Sequence, residues 1–467
     1  MTDRARRPTI AVIGAGFSGS LVALHLLAAG AAAPRILLVE RARGFGKGVA
    51  YSTRHGAHLL NVRAGNMSAF PDRSGHFLDW LRNRNEVADP AGFVARATYG
   101  QYLQEMLSQA AMGSDAVGRL VLVADDAVSL TRVPDGGFRL TTDVGRSYAV
   151  DGAVLAMGNF PPDPPPGVDK ELLGSFRFQT DPWAPKALSR IGKTEPVLLL
   201  GTSLTMVDVA LSLTDQGHEG PILALSRRGL LPRRHGPAAP PTVPQVPPPI
   251  GPSLAASLRS VRAAVRAAGE EDRSWHFVID SLRGGTAAFW HALPVAVRAR
   301  FLRHLRPWWD VHRHRLAPPV DERLRAMMAA GRLRVVAGRL ERLSEGKADD
   351  LCLRLRPRGQ DHAEELSVRH AINCVGPGGD IAGTRDPLLR GLLDAGLVRP
   401  DPLRLGLDTD AGARLVDREG IAVPGLYAMG PIMRGAQWEI TAVPDIRVQA
   451  QKLAGAIMGE TMAGAGI

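Results

Sequence analysis

Six residues near the N-terminus, Gly14-Ala15-Gly16-Phe17-Ser18-Gly19, have the types and spacing needed to hold a pyrophosphate. The first glycine permits a tight turn, the second lets backbone N–H groups approach an anion, and the third lets a helix pack closely on a strand. Glu40, 21 residues after Gly19, is placed to accept hydrogen bonds from ribose hydroxyls, with Arg41 beside it. A looser version of the same pattern occurs at Gly201-Thr202-Ser203-Leu204-Thr205-Met206, where Ser203 and Met206 replace the second and third glycines. The acidic position is then taken by Ser226-Arg227-Arg228. Arginine there suits a 2′-phosphate, so Arg227 and Arg228 favour NADPH over NADH. The alternative is a vestigial turn that packs without binding.

Such turns work only between particular elements. Thr9 to Ile13 reads as a strand, Leu21 to Leu27 as an apolar helix and Arg35 to Val39 as a second strand ending on Glu40. Strand, glycine turn, helix, strand and acidic residue within about 30 residues form the full dinucleotide-binding context. The pyrophosphate would sit on the helix N-terminus, where unpaired N–H groups and the dipole favour anions. The small and polar residues of 44–53 and 59–70 suit a loop lying along an extended cofactor, with Gly48, Asn61, Asn66, Met67 and Ser68 as contact candidates. A plain surface loop is the other reading.

Leu120–Val123 and Phe138–Thr142 read as strands of a meander around Gly136-Gly137. They lead to Gly152–Asn159, where Met157 and Gly158 would form a second phosphate-side turn, as in two-dinucleotide flavoproteins. Ala127 and Val128 fall where such proteins touch adenine through backbone. The series then repeats: strands at 196–200 and 221–225, a meander at 333–337 and 351–355, and a strand and glycine at 371–376. Two nucleotide sites are implied, a flavin (FAD) and a pyridine nucleotide. The fold class expected is α/β with two Rossmann-like units. Residues 8–160 and 377–467 form an FAD-binding domain that is interrupted by an NAD(P)-binding-like domain, 161–376.

Composition narrows the class further. The 467 residues suggest ~3 domains of ~150 residues. No apolar run approaches the ~20 residues of a membrane span, and the first eight residues are basic and polar rather than a signal peptide. A cytoplasmic protein without membrane contact is expected. The net charge of +11 comes almost wholly from 51 arginines against 6 lysines, scattered along the chain. No nucleic-acid-binding module accompanies it, so no nucleic-acid partner is expected. Cys352 and Cys374 are too few for a thiolate zinc site or a CxxC redox centre. His304, His312 and His314 lack the carboxylate or cysteine that would complete a metal set, so no metal is expected. Nine of the 21 residues from 232 to 252 are proline, which reads as a semi-rigid linker before a helical insertion over 253–330.

Taken together, the strings GAGFSG (14–19), GKGVAYST (46–53), LLNVRAGNMSAF (59–70), GTSLTMVDVALSL (201–213), FLRHLRPWWDVHRHRLAP (301–318) and GPIMRGAQWEITAVPDIRVQA (430–450) resemble the FAD-NAD(P)-binding family of flavin oxidoreductases. That family is similar to flavin-containing N-hydroxylating monooxygenases within the glutathione-reductase-like class. The resemblance implies a two-dinucleotide-binding fold with FAD and does not fix one reaction. Gly430-Pro431 stands where the wider class ends its C-terminal flavin motif in Gly-Asp. The stretch Phe176–Trp183 lacks the FxGxxxH string of Baeyer–Villiger enzymes, and no cysteine pair can sit by the flavin as in a disulfide reductase.

Pro444 and Asp445 should start a C-terminal helix whose positive end could face the flavin. Gly430, Trp438, Glu439 and Thr441, which precede it, are candidates for flavin or substrate contact, with core packing the other reading of Trp438. The resulting expectation is an NADPH-dependent flavin monooxygenase acting on a small molecule, perhaps an amine, with O2 as co-substrate and a C4a-hydroperoxide of the flavin as oxidant. No catalytic acid–base pair stands out; Asn66, Met67, Ser68 and Trp438 are the candidates near the reactive ring. Two alternatives stay open: a dehydrogenase or oxidase reduced by its own substrate, and a non-catalytic FAD- and NAD(P)-sensing flavoprotein. Oligomeric state is not legible.

Overall fold

The computed structural model describes residues 7–42, 44–113, 117–134, 136–237, 253–347 and 349–464. Most of the proline-rich linker, 238–252, lies outside the described residues.

The first sheet is built on β1 (Thr9–Ile13), whose five residues are all buried. Continuous apolar runs of this kind belong to parallel strands covered on both faces. β1 pairs in parallel with β2 (Arg35–Val39), and β2 with β3 (Leu120–Val123). On its other side β1 pairs with β7 (Gly152–Leu155), β7 with β16 (Ala422–Ala428), and β16 antiparallel with β15 (Arg414–Val416). β4 (Ala127–Arg132), β5 (Phe138–Thr142) and β6 (Ser147–Val150) form a separate antiparallel meander. β5 alternates buried and open residues, the mark of a sheet with one solvated face.

The second sheet repeats this plan with one economy. β9 (Val197–Leu200) pairs in parallel with β10 (Ile222–Ser226) and with β14 (His370–Asn373), which pairs in turn with β8 (Phe178–Gln179). β11 spans Leu333–Glu345 and serves two purposes. Its first five residues pair in parallel with β10, and the rest pair antiparallel with β12 (Leu351–Pro357), which pairs with β13 (Glu364–Val368). In the first unit the corresponding job is split between β3 and β4. Gly338 marks the change of partner, since a Cβ there would meet the Arg356 carbonyl oxygen at 2.9 Å.

Helix Phe17–Leu27 packs under the first sheet, and the long helix Val443–Gly464 lies against it through Ala450, Leu453 and Ile457. Helix Leu204–Asp215 holds the matching place in the second unit. Five helices between Leu254 and Arg313 form the insertion. The next helix, Pro318–Ala329, packs Val320, Leu324 and Met327 into the core of the second unit instead, so it is part of the Rossmann crossover. The insertion meets the C-terminal segment through a small core of Trp290, Leu293 and Trp438. No described helix is long and apolar enough to cross a membrane.

Candidate functional site

The two glycine turns have nearly the same geometry. Gly14 has φ of +99°, and a Cβ there would stand 2.4 Å from the carbonyl oxygen of Ala156 at the end of β7. Gly201 has φ of +113°, and its Cβ would stand 2.4 Å from the carbonyl oxygen of Cys374 just past β14. Left-handed backbone and close approach together leave room for glycine alone. The next positions also agree, with extended backbone at Gly16 (φ −69°, ψ −167°) and at Ser203 (φ −94°, ψ −165°). Serine adopts that conformation without strain, so its presence leaves the turn intact.

The third position separates the units. A Cβ on Gly19 would lie 1.9 Å from the Gly14 carbonyl oxygen, so the first helix sits directly on its turn. Met206 fills the equivalent place with a fully buried side chain, where the first unit has no side chain at all. Neither helix has a side-chain cap or an acidic residue in its first turn. Their leading N–H groups therefore keep the positive end free for an anion. Beyond β7 and β14, Gly158 (φ +73°) and Gly376 (φ +97°) face open space with no atom within 4 Å of a built Cβ. These features fit a dinucleotide cradle at the first turn.

Around that cradle, Ala15 N–H donates to Glu40 Oε2 at 2.8 Å and Ala42 N–H to Glu40 Oε1 at 3.1 Å. The carboxylate is thereby fixed at the end of β2 with lone pairs left for a ribose. Arg41 pairs with Asp126 at 3.5 Å and Asp386 at 3.2 Å, beside the buried Ala127 and half-buried Val128. Gly46 N–H donates to the Ala15 carbonyl oxygen at 2.7 Å, and a Cβ on Gly48 would come 3.0 Å from Gly16 Cα. The loop 46–51 thus closes over the first turn. Gly430 (φ +82°) sits on the same helix, its Cβ position 2.4 Å from Ser18 Oγ. Met157 is half-buried beside this turn in sequence, before Gly158.

The other candidates are dispersed in role. Asn66 is exposed, while Met67 and Ser68 are buried. The Ser68 hydroxyl donates toward the carbonyl oxygens of Phe70 at 3.1 Å and Arg73 at 2.6 Å, so it organises its own loop. Asn61 accepts through its carbonyl oxygen from His235 Nε2 at 3.0 Å. Trp438 is buried against Trp290 at 5.0 Å and Phe301 at 5.6 Å, with the Arg434 guanidinium 4.6 Å from its ring centre. Thr441 is exposed at the start of the C-terminal helix. In the second unit Thr202 Oγ1 reaches the Leu230 carbonyl oxygen at 2.6 Å and Ser226 Oγ at 2.9 Å. Arg227 is exposed and Arg228 half-buried, and neither makes an ion pair among the described residues.

Sequence reasoning did not find three contacts that join distant segments. Arg447, on the C-terminal helix, donates to the Ser68 carbonyl oxygen at 3.0 Å. Glu439 is buried between Arg313, at 3.2 Å, and Trp309 Nε1, at 2.8 Å. Burial alone would raise its pKa, but Arg313, His314 and the indole N–H outweigh that and hold the carboxyl below its usual range. Arg283 pairs with Asp445 in the first turn of the C-terminal helix. Two ion pairs therefore clamp the insertion onto the segment that precedes and opens that helix. Among the described residues no group of histidine, cysteine and carboxylate side chains could hold a metal.

Residues 11–160 match the model of a family described as FAD-NAD(P)-binding. No curated protein sequence matches the chain. Among solved structures, the chain is similar to L-lysine 6-monooxygenase from Pseudomonas syringae (TM-score 0.67, 16% identity, 98% of this chain and 100% of that one). It is also similar to ornithine hydroxylase from Pseudomonas aeruginosa (TM-score 0.66, 14% identity, 97% and 99%). A third likeness, to the thioredoxin reductase of T. acidophilum, is looser (TM-score 0.54, 10% identity, 97% and 98%). The two cysteines of the present chain lie on β12 and just past β14 and are both free. The chain has the two-dinucleotide-binding flavoprotein fold, and its first unit, residues 11–160, is similar to the FAD-NAD(P)-binding family.

Proposed function

We propose that this protein is an FAD-dependent oxidoreductase reduced by NADPH, and that it works as a monooxygenase on a small amine. The observation that carries the reading is the pair of matched glycine turns, each at a helix without a side-chain cap, the second beside two arginines without acidic partners among the described residues. One turn suits FAD and the other a nucleotide bearing a 2′-phosphate. The amine hydroxylation is supported by the likeness in fold to an L-lysine 6-monooxygenase and an ornithine hydroxylase.

Bound flavin would supply hydride acceptance and the activation of O2. The chain's own residues bind, orient and shield. The first-turn N–H groups of helix Phe17–Leu27 hold the pyrophosphate, and Glu40 takes the ribose. The N-terminal end of helix Val443–Gly464, where Asp445 of the first turn is paired with Arg283, offers positive potential to negative charge near it. The insertion, fixed by Arg313 to Glu439 and by Arg283 to Asp445, brings Trp290 and Trp309 over the C-terminal segment and excludes water from that side.

A second reading has the flavin reduced by the substrate itself, with the second unit purely structural. Met206 favours it, because it puts a buried side chain where the first unit has Gly19. Anaerobic mixing of the flavin-loaded protein with NADPH, then NADH, separates the two. Rapid bleaching by NADPH and slower bleaching by NADH is the expected result; a flavin left oxidised by both nucleotides would overturn the NADPH-reduced reading and leave the substrate-reduced enzyme and the non-catalytic flavoprotein.

A further inference from the structure

The first unit concentrates phenols where packing does not require them. The chain has five tyrosines in 467 residues, and three of them, Tyr51, Tyr99 and Tyr102, stand in one file of touching rings. Tyr51 follows Gly48 by three residues, and its ring lies 6.0 Å from that of Phe17, the first residue of the helix at the glycine turn. Tyr51 to Tyr99 is 4.9 Å, Tyr99 to Tyr102 is 5.4 Å, and Tyr102 to Trp80 is 5.5 Å. These are the separations of directly interacting rings. Trp80 is half-buried on helix His76–Asn83, and its Nε1 donates at 2.8 Å to Glu105, which is open to solvent. The file therefore runs from the cofactor turn to the surface.

Phenylalanine would fill the place of Tyr99 better. Tyr99 is wholly buried and its hydroxyl has no hydrogen-bond partner among the described residues, which costs stability that an apolar ring would not. Tyr102 is equally buried but is equipped differently. Its oxygen accepts from Ala69 N–H at 3.2 Å and shares a hydrogen bond with His76 Nδ1 at 2.8 Å, to which its proton is donated in the tautomer that carries the ring proton on Nε2. Burial, and then Arg73, hold His76 below its ordinary pKa, which keeps that ring neutral and able to accept. A phenol gives up an electron readily when its proton can leave at the same time. Tyr102 meets that condition and Trp80 meets it through Glu105, whereas Tyr99 does not and is suited only to bridge Tyr51 and Tyr102.

We propose that Tyr51, Tyr99, Tyr102 and Trp80 form a conduit that carries one-electron oxidising equivalents from the cofactor site to the surface. The proposal rests on the flavoprotein reading, since O2 chemistry at the flavin supplies the oxidant, an oxygen-centred radical that escapes productive turnover. That radical takes one electron from the file and is reduced. Tyr102 makes up the loss, passing its proton to His76 Nδ1 and becoming a neutral phenoxyl. Trp80 then gives Tyr102 an electron while His76 returns the proton, and the indole proton of Trp80 moves to Glu105. A thiol in solution restores the electron to Trp80 as Glu105 returns its proton, and the thiol's own oxidation closes the balance.

Flash oxidation with a soluble ruthenium polypyridyl complex and persulfate tests the conduit from its surface end and needs no flavin. In a Tyr148→Phe background, which removes a half-buried tyrosine outside the file, tyrosyl radical trapped by freezing and read by electron paramagnetic resonance should form and should fall sharply on adding either Trp80→Phe or Tyr102→Phe, which preserve the packing. An unchanged tyrosyl yield in either variant would overturn the proposal. In the flavin-loaded protein, blue-light excitation makes the flavin itself the oxidant. Its fluorescence should be quenched in the wild type and recover in Tyr51→Phe; bound flavin whose emission is indifferent to that change would remove the cofactor end of the conduit. A protein that holds no flavin would refute the flavoprotein reading, while the ruthenium experiment would still decide whether the file conducts.

Discussion

At Gly14 a single hydrogen in place of a side chain decides whether two strands can meet under the cofactor turn. The built Cβ is 2.4 Å from the backbone oxygen of Ala156, the residue just past β7, whose own N–H is bonded to the Ile13 carbonyl oxygen of β1 and so cannot step aside freely. Gly14→Ala should therefore destabilise the protein by about 2 kcal/mol or more and yield it colourless. Thermal melting and the flavin absorbance of the purified variant check both. Gly14 was legible because its requirement is local and recurs in a fixed pattern. The contact of Arg447 with the Ser68 carbonyl oxygen was not, because it joins positions 379 residues apart and uses a backbone atom that any residue supplies. The functional reading of Ser68 illustrates the same limit: its type suggested cofactor contact, and its hydroxyl is engaged within its own loop. Arg227 and Arg228 carry a second residue-scale prediction. A charge-assisted hydrogen bond to phosphate contributes about 1.5–3 kcal/mol, so Arg227→Ala with Arg228→Ala should raise KM for NADPH roughly tenfold or more. KM for NADH should stay nearly constant in steady-state assays, and equal effects on both would remove the 2′-phosphate assignment.

Among the elements, the parallel strands and their helices were readable from apolar runs and glycines, whereas the boundaries of the insertion were not. Helix Pro318–Ala329 has the same arginine- and alanine-rich composition as the helices before it, yet it packs on the second unit. Composition reports exposure and does not report which neighbour covers the apolar face. The clamp between insertion and C-terminal segment is likewise a tertiary product. Arg313 and Glu439 are both nearly inaccessible, with side chains 5% and 7% exposed, so removing one leaves the other charged and unpaired. Arg313→Ala should cost about 3 kcal/mol or more, whereas Arg313→Met combined with Glu439→Leu should recover much of the loss by replacing the pair with apolar packing. Denaturation midpoints of the three proteins provide the comparison, and a double variant no better than Arg313→Ala would show that the pair does more than neutralise itself.

For the molecule as a whole, the two nucleotide units meet through histidines contributed from both sides. His58 of the first unit reaches Ser212 Oγ at 2.9 Å and the Asp208 carbonyl oxygen at 3.1 Å on the second, while Arg96 pairs with Asp208 at 2.8 Å and His55 stacks on His58 at 4.7 Å. His235 of the second unit reaches back to Asn61 of the first. Burial lowers the pKa of His58; Arg96 and His55 add to the lowering and Asp208 opposes it. His235 is pushed down to about 3, by burial first and then by Arg315, Arg63 and His276, against the hydrogen bond to Asn61. A histidine with a lowered folded-state pKa is neutral in the native protein while the unfolded chain already binds a proton. Its stabilising contribution is complete above the unfolded value of about 6.5 and is lost progressively as pH falls toward the folded value. The melting temperature should therefore decline steadily from about pH 6.5 downward, in a range where ordinary carboxylates are still ionised. His58→Gln and His235→Asn each keep a hydrogen-bonding side chain at the junction and cannot take up a proton there, so the double variant should show a shallower decline between about pH 6.5 and 5 than the wild type. Identical slopes would mean that the junction does not set the acid limit of the fold, and that the histidines away from it, such as His25 and His291, carry that dependence instead.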